Sequence, residues 1–118
     1  MATLGDLERS VMDLLWASTD PLTAYEIQDA LAASTGKPLA ATTVLTVLSR
    51  LEKKSFVTRE RSSRPHRYLA AASREDHVAE LMHEVLGGAV DRVAVLERFV
   101  GQATPAEAEA LRKLLAER

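Results

Sequence analysis

Residues 40–54, AATTVLTVLSRLEKK, decide how this chain is read. Val44, Val47, Leu48 and Leu51 recur at helical spacing and form one apolar stripe. Thr42, Thr46, Ser49, Arg50 and Lys53 gather on the opposite side. At about 100° per residue, Thr42, Thr46 and Lys53 fall within about 40° of one another. This polar face has small hydroxyls near its start and cations near its end. A helix in a DNA major groove uses side chains in this way: Thr and Ser reach base edges or the thymine methyl, and Arg and Lys reach guanine or phosphate. The bland alternative is a surface helix with a solvated face, a common arrangement. The flanking sequence decides between the two.

Upstream, residues 1–18 read as a helix starting near Gly5, with Leu4, Leu7, Val11, Leu14 and Leu15 buried and Trp16 as a core anchor. Glu8, Arg9 and Asp13 are expected in solvent. Asp20-Pro21 signals a turn, and Leu22 a short strand contact. Thr23 opens a second helix, with Glu26 at capping-box spacing. Ile27, Ala30 and Leu31 supply its stripe, while Tyr25 either packs or binds. Gly36 can take the left-handed conformation that ends it. Gly36-Lys37 is no phosphate-binding loop, because no second glycine stands at the required spacing and Pro38 follows.

Downstream, residues 56–61 and 66–70 read as two strands around a turn at 62–65. Two strands alone are marginal in water, so Phe56, Val57, Tyr68 and Leu69 must partly dock on the helices. Three helices followed by a basic hairpin describe a winged helix-turn-helix. The third helix would enter the major groove, and the hairpin would lie over the backbone or minor groove. The expected fold is therefore mainly α with a small β-hairpin.

Charge supports this reading. The 118 residues carry a net charge of −2, which alone argues against a polyanion partner. Between Arg50 and Tyr68, however, seven cations meet two acids, so that segment is +5 and the remainder −7. A basic patch on an acidic chain marks one polyanion-facing surface. The absence of Cys excludes disulfides, thiolate metal sites and cysteine catalysis. With no signal-peptide pattern and no apolar run near 18 residues, a cytoplasmic protein without membrane insertion is the expectation.

Residues 73–118 form a second region, giving an expected division into a 1–72 winged domain and a 73–118 helical domain. Ser73 is a good N-cap, with Glu75 and Asp76 in the first turn. Val78, Leu81, Met82, Val85, Leu86 and Ala89 make a stripe that Gly87-Gly88 kinks or breaks, and Val90, Val93, Leu96, Phe99 and Val100 resume it. Thr104-Pro105-Ala106-Glu107 starts a last helix whose stripe is Ala108, Leu111, Leu114 and Leu115. These stripes need a partner, and a second copy of the chain is the simplest one. Leu81, Val85, Leu96, Phe99, Leu111 and Leu115 are the expected dimer contacts. The alternative is that the helices fold back on the first domain.

The segments GDLERSVMDLLW (5–16), ATTVLTVLSRLEKKSFV (41–57) and RSSRPHRY (61–68), with the capped terminal helix, resemble the penicillinase-repressor (BlaI/MecI-type) transcriptional regulators over nearly the full length. The resemblance implies a dimeric winged-helix repressor of inverted-repeat operators, relieved when a membrane-bound sensor protease cuts its C-terminal half. It turns Thr42, Thr43, Thr46 and Arg50 toward bases, with Ser49 on the same face, and Lys53, Lys54, Arg64 and Arg67 toward phosphates. The chain departs from the family at Ser55 and Ser63, where Gly is usual. Either holds a left-handed conformation at a cost of about 1 kcal/mol, or the turn differs. Arg98 precedes Phe99 where family cleavage often falls at Asn-Phe. A copper-sensing branch uses a C-terminal cysteine cluster, which is absent here.

Other constellations carry little. His77, Glu80, His83 and Glu84 lie close on one helical surface, and Glu80-x-x-His83 matches half of a carboxylate di-metal site. The second such motif is missing, so a solvated surface is the expectation, with no metal and no cofactor. His66 reads as a backbone contact or a solvated residue. No Gly-x-Ser-x-Gly elbow is present, and no catalytic constellation emerges. Two functions from different classes remain: a dimeric DNA-binding repressor, and an adaptor whose winged domain binds another protein.

Overall fold

A computed structural model describes residues 4–118. Its elements run α1 (Asp6–Ala17), β1 (Leu22–Thr23), α2 (Ala24–Thr35), α3 (Ala41–Lys53), β2 (Val57–Glu60), β3 (Arg67–Ala70), α4 (Arg74–Gly87), α5 (Arg92–Gly101) and α6 (Pro105–Ala116). The chain divides into two compact units, one ending at Val78 and one spanning Ala79–Arg118.

In the first unit, α1, α2 and α3 enclose a core that contains Val11, Met12, Ile27, Leu31, Leu48 and Leu51, each almost fully buried. The α3 stripe read from sequence, Val44, Val47, Leu48 and Leu51, is buried throughout. Met12, which the sequence reading left out, is buried too, whereas Leu4, Leu7, Leu14 and Trp16 are partly buried against the core.

Local chemistry sets the boundaries. Thr23 and Glu26 form the expected reciprocal cap: the Thr23 N–H donates to Glu26 Oε1 (2.8 Å), and the Glu26 N–H donates to Thr23 Oγ1 (3.1 Å). Gly36 ends α2 in the left-handed conformation, φ 74°. Gln28 Nε2 donates to the Leu39 carbonyl at 2.6 Å, tying α2 to the loop that enters α3.

At the other end of α3, Ser55 adopts φ 67°. The Ser55 N–H donates to the Glu52 carbonyl and the Phe56 N–H to the Leu51 carbonyl. These are the two bonds of a Schellman cap, with Ser where Gly is usual. Ser63 is not in the left-handed region: Ser55 is the only non-glycine residue with positive φ among those described. The wing tip is therefore built differently, around Ser63 Oγ donating to the Pro65 carbonyl.

The hairpin is part of a three-stranded antiparallel sheet ordered β1-β3-β2. β3 is the central strand, pairing Leu22↔Tyr68 and Thr23↔Arg67 on one side and Arg59↔Tyr68 on the other. Val57 and Tyr68 are buried and Phe56 packs partly on the core. Leu69, expected to dock, is exposed because strand alternation turns it away from Tyr68.

The first compact unit runs on to Val78 and so includes His77. Its ring is buried, 5.3 Å from the Trp16 ring and 5.3 Å edge-on from Phe56. Trp16 Nε1 donates to the Ala72 carbonyl at 3.0 Å. Arg74 lies over the Trp16 ring and pairs with Asp13. His77 is thus a packing residue and not part of a solvated Glu/His surface.

In the second unit, the expected break falls between Gly87 and Asp91, whose side chain caps α5 through the Ala94 N–H. Thr104 and Glu107 cap α6 reciprocally. Neither α5 nor α6 contains a buried residue.

Candidate nucleic-acid interface

Because Val44, Val47, Leu48 and Leu51 fix α3 in the core, its opposite face must look outward, and Thr42, Thr43, Thr46, Ser49, Arg50 and Lys53 are all exposed there. Thr46 Oγ1 donates to the Thr42 carbonyl at 2.8 Å. Its proton is therefore used inside the helix, leaving the oxygen lone pairs and the methyl outward. Leu45 is also exposed on this face. It stands outside the apolar stripe and outside the polar set, so the sequence pattern does not single it out. Its chemistry suits apolar contact with a thymine methyl. Thr43 and Arg50 border an open groove of about 460 Å³ whose other wall, Gly5–Leu7, comes from the start of α1.

The basic segment sorts into two groups. Lys54 Nζ lies 3.0 and 2.9 Å from the two Glu8 oxygens. Glu8, expected in solvent, is buried beneath it and also accepts the Gly5 N–H at 2.8 Å. The Gly5 N–H first, then the Lys54 bond, hold the Glu8 carboxyl below its ordinary value. Lys54 is expected among the phosphate contacts, but in the structure a buried carboxylate engages its ammonium. Arg59 and Arg61 each lie 3.5 Å from Glu52. Among the described residues, no carboxylate comes within ion-pair distance of the other four cations, Arg50 and Lys53 on α3 and Arg64 and Arg67 on the wing. His66 sits in the same field: desolvation first, then Arg59, Arg64 and Arg61, lower its pKa.

The six residues expected at a dimer contact lie in the second unit. Val85, Leu96, Phe99 and Leu115 are exposed, and Leu81 and Leu111 are half-buried. Phe99 and Leu111 share an open groove of about 470 Å³ with Met82 and Leu114. Among the described residues no group of three or more His, Cys, Asp or Glu could hold a metal, and no helix is long and apolar enough to cross a membrane.

The family model of penicillinase repressors matches residues 4–117. The chain belongs to the penicillinase-repressor family. It is 47% identical over 120 residues to the transcriptional regulator BlaI of two Mycobacterium tuberculosis strains, CDC 1551 / Oshkosh and ATCC 25618 / H37Rv, an alignment covering 99% of this chain and 86% of theirs. Like that relative, members of the penicillinase-repressor family are transcriptional regulators and not enzymes.

Solved structures agree on the fold. RosR from H. salinarum superposes with a TM-score of 0.57 at 18% identity over 92% of each chain. A MarR family protein from Bacillus stearothermophilus gives 0.53 at 16%, over 98% of this chain and 73% of that one. The Helicobacter pylori ferric uptake regulator Fur gives 0.53 at 26%, over 58% of this chain and 47% of that one. The penicillinase-repressor chain thus carries the winged-helix architecture expected from its sequence.

Proposed function

We propose that this chain is a cytoplasmic, dimeric DNA-binding repressor that reads an inverted-repeat operator with α3 and rests its wing on the phosphates. The observation that carries the reading is the placement of the unpaired cations. Arg50 and Lys53 share the exposed face of α3 with Thr42, Thr43, Thr46 and Ser49, while Arg64 and Arg67 stand on the wing. Hydroxyls and Arg50 would read bases, and Lys53, Arg64 and Arg67 would hold phosphates. The apolar side chains left open on α4, α5 and α6 favour a second copy as the partner, because a two-fold dimer would present two α3 helices to two half-sites.

Relief by a membrane-bound sensor protease fits the second unit less simply. Arg98 lies inside α5, and its Nη1 donates to the Ala94 carbonyl at 3.0 Å. A pocket shaped for Asn would have to accept a longer cation at this position. Leaving a polar group unpaired there costs about 1–3 kcal/mol, so a protease tuned to Asn-Phe should cut this chain poorly.

The reading is tested by titrating duplexes from the region upstream of the chain's own gene against a scrambled control. Tight binding to an inverted repeat, two protomers per duplex, is expected. Equal affinity for the scrambled duplex would favour the adaptor reading.

A further inference from the structure

Glu52 stands on the flank of α3, one-third exposed, with a wing arginine on each carboxylate oxygen: Arg59 Nη2 3.5 Å from Oε1 and Arg61 Nη2 3.5 Å from Oε2. Strand alternation explains why both arginines arrive there. Val57 on β2 points into the core, so Arg59 two residues on points the same way and is three-quarters buried, and residue 61 continues that face. Arg59 Nε is buried with no hydrogen-bond partner, so its guanidinium depends on Glu52 for compensation. Glu60, on the opposite face of β2, takes no part in the arrangement. Thus one carboxylate on α3 lies against two of the wing cations, Arg59 on β2 and Arg61 just after it.

We propose that Glu52 is a specificity-determining positioning residue of the DNA interface, holding Arg59 and Arg61 back from indiscriminate phosphate contact while fixing the wing strand against α3. This rests on the DNA-binding reading above. Phosphate contacts supply affinity for any sequence, whereas base contacts supply discrimination. Arginines restrained against Glu52 leave Arg64, Arg67 and Lys53 as the phosphate contacts and give greater weight to the base-reading face. Releasing them adds sequence-independent affinity and lets the wing shift relative to α3.

The test uses the full-length chain, a random-sequence duplex and the operator duplex, with binding followed by fluorescence anisotropy from about 50 to about 200 mM salt. Glu52→Gln keeps the shape and removes the charge. It should tighten random-duplex binding several-fold, steepen the salt slope by about one to two units, and narrow the ratio of operator to random affinity. Glu52→Asp, which retains the charge, should keep a slope near that of the parent. Arg61→Gln is an exposed change that leaves the core intact. It should leave the parent slope on random duplex nearly unchanged, whereas Arg64→Gln should flatten it by about one unit. A Glu52→Gln protein with the parent slope and ratio, or an Arg61→Gln protein as flattened as Arg64→Gln, would overturn the assignment of Glu52 alone. A parent chain with no salt-dependent binding to any duplex would overturn the DNA-binding reading and this inference together.

Discussion

The two units use similar apolar periodicity for opposite ends. In the winged unit every residue of the α3 stripe is buried within the same chain. In the second unit α5 and α6 have comparable stripes and no buried residue, with Phe99, Leu114 and Leu115 more than half exposed. A stripe states that a helix has an apolar side; it does not state whose core that side completes. The winged unit closes its own core through three helices and a sheet. The second unit leaves side chains open in a way that a monomer seldom tolerates.

The sharpest way to break this comparison is to separate the units. A chain ending at Val78 should fold, sediment as a monomer, and lose operator affinity by about 100-fold or more as the linkage between half-sites vanishes. A dimer from this fragment would place the interface in the winged unit. Single substitutions, one in each unit, sharpen the contrast. Leu48→Ala should cost about 3–5 kcal/mol of unfolding free energy, whatever the protein concentration. Leu115→Ala should leave unfolding at low concentration unchanged and raise the dimer dissociation constant, so that its melting penalty appears only where dimers predominate. Melting curves over a range of concentrations check both.

A smaller effect concerns the ion pair that joins the two ends of the winged core. Glu8→Gln should destabilise the unit by about 1–3 kcal/mol at neutral pH. The Glu8 pKa is lowered in the folded chain, so its contribution is complete above the ordinary value of 4.5 and fades as pH falls through the folded value. The penalty of Glu8→Gln should accordingly shrink on acidification below that value, as followed by urea unfolding across pH. The smallest effect is at Ser55. Glycine there should relieve the left-handed strain and raise stability by about 0.5–1 kcal/mol, without altering DNA affinity.

Most of the winged fold was legible because its signals are local. The α3 stripe, the Thr23–Glu26 cap and Gly36 are each set by neighbours within a few residues. The misses share a different cause. Glu8 sits between Leu7 and Arg9 at the start of a helix, where a carboxylate ordinarily meets solvent, and its partner Lys54 lies 46 residues away. His77 lies in an acidic stretch, and the Trp16 and Phe56 rings that enclose it come from α1 and the α3–β2 turn. β1 is not among them: a strand contact is expected at Leu22, although its two residues are too few to show alternation.

The candidate interface followed the same rule. Exposure of Thr42, Thr46, Arg50 and Lys53 follows from helical phase. Which cations are paired depends on tertiary distances, and this is why Lys54 looked no different from Lys53. Leu45 lies outside the apolar stripe by helical phase, and an exposed leucine carries no signal of its own in the sequence.

The central claim is that α3 reads bases and its neighbouring cations hold phosphates. Arg50→Ala and Lys53→Ala, titrated on operator and random duplexes across salt, test it most directly. Arg50→Ala should cost about 1–3 kcal/mol on the operator and little on random DNA, narrowing the ratio between them. Lys53→Ala should weaken both duplexes alike and flatten the salt slope by about one unit. Unchanged operator discrimination in Arg50→Ala would contradict the claim.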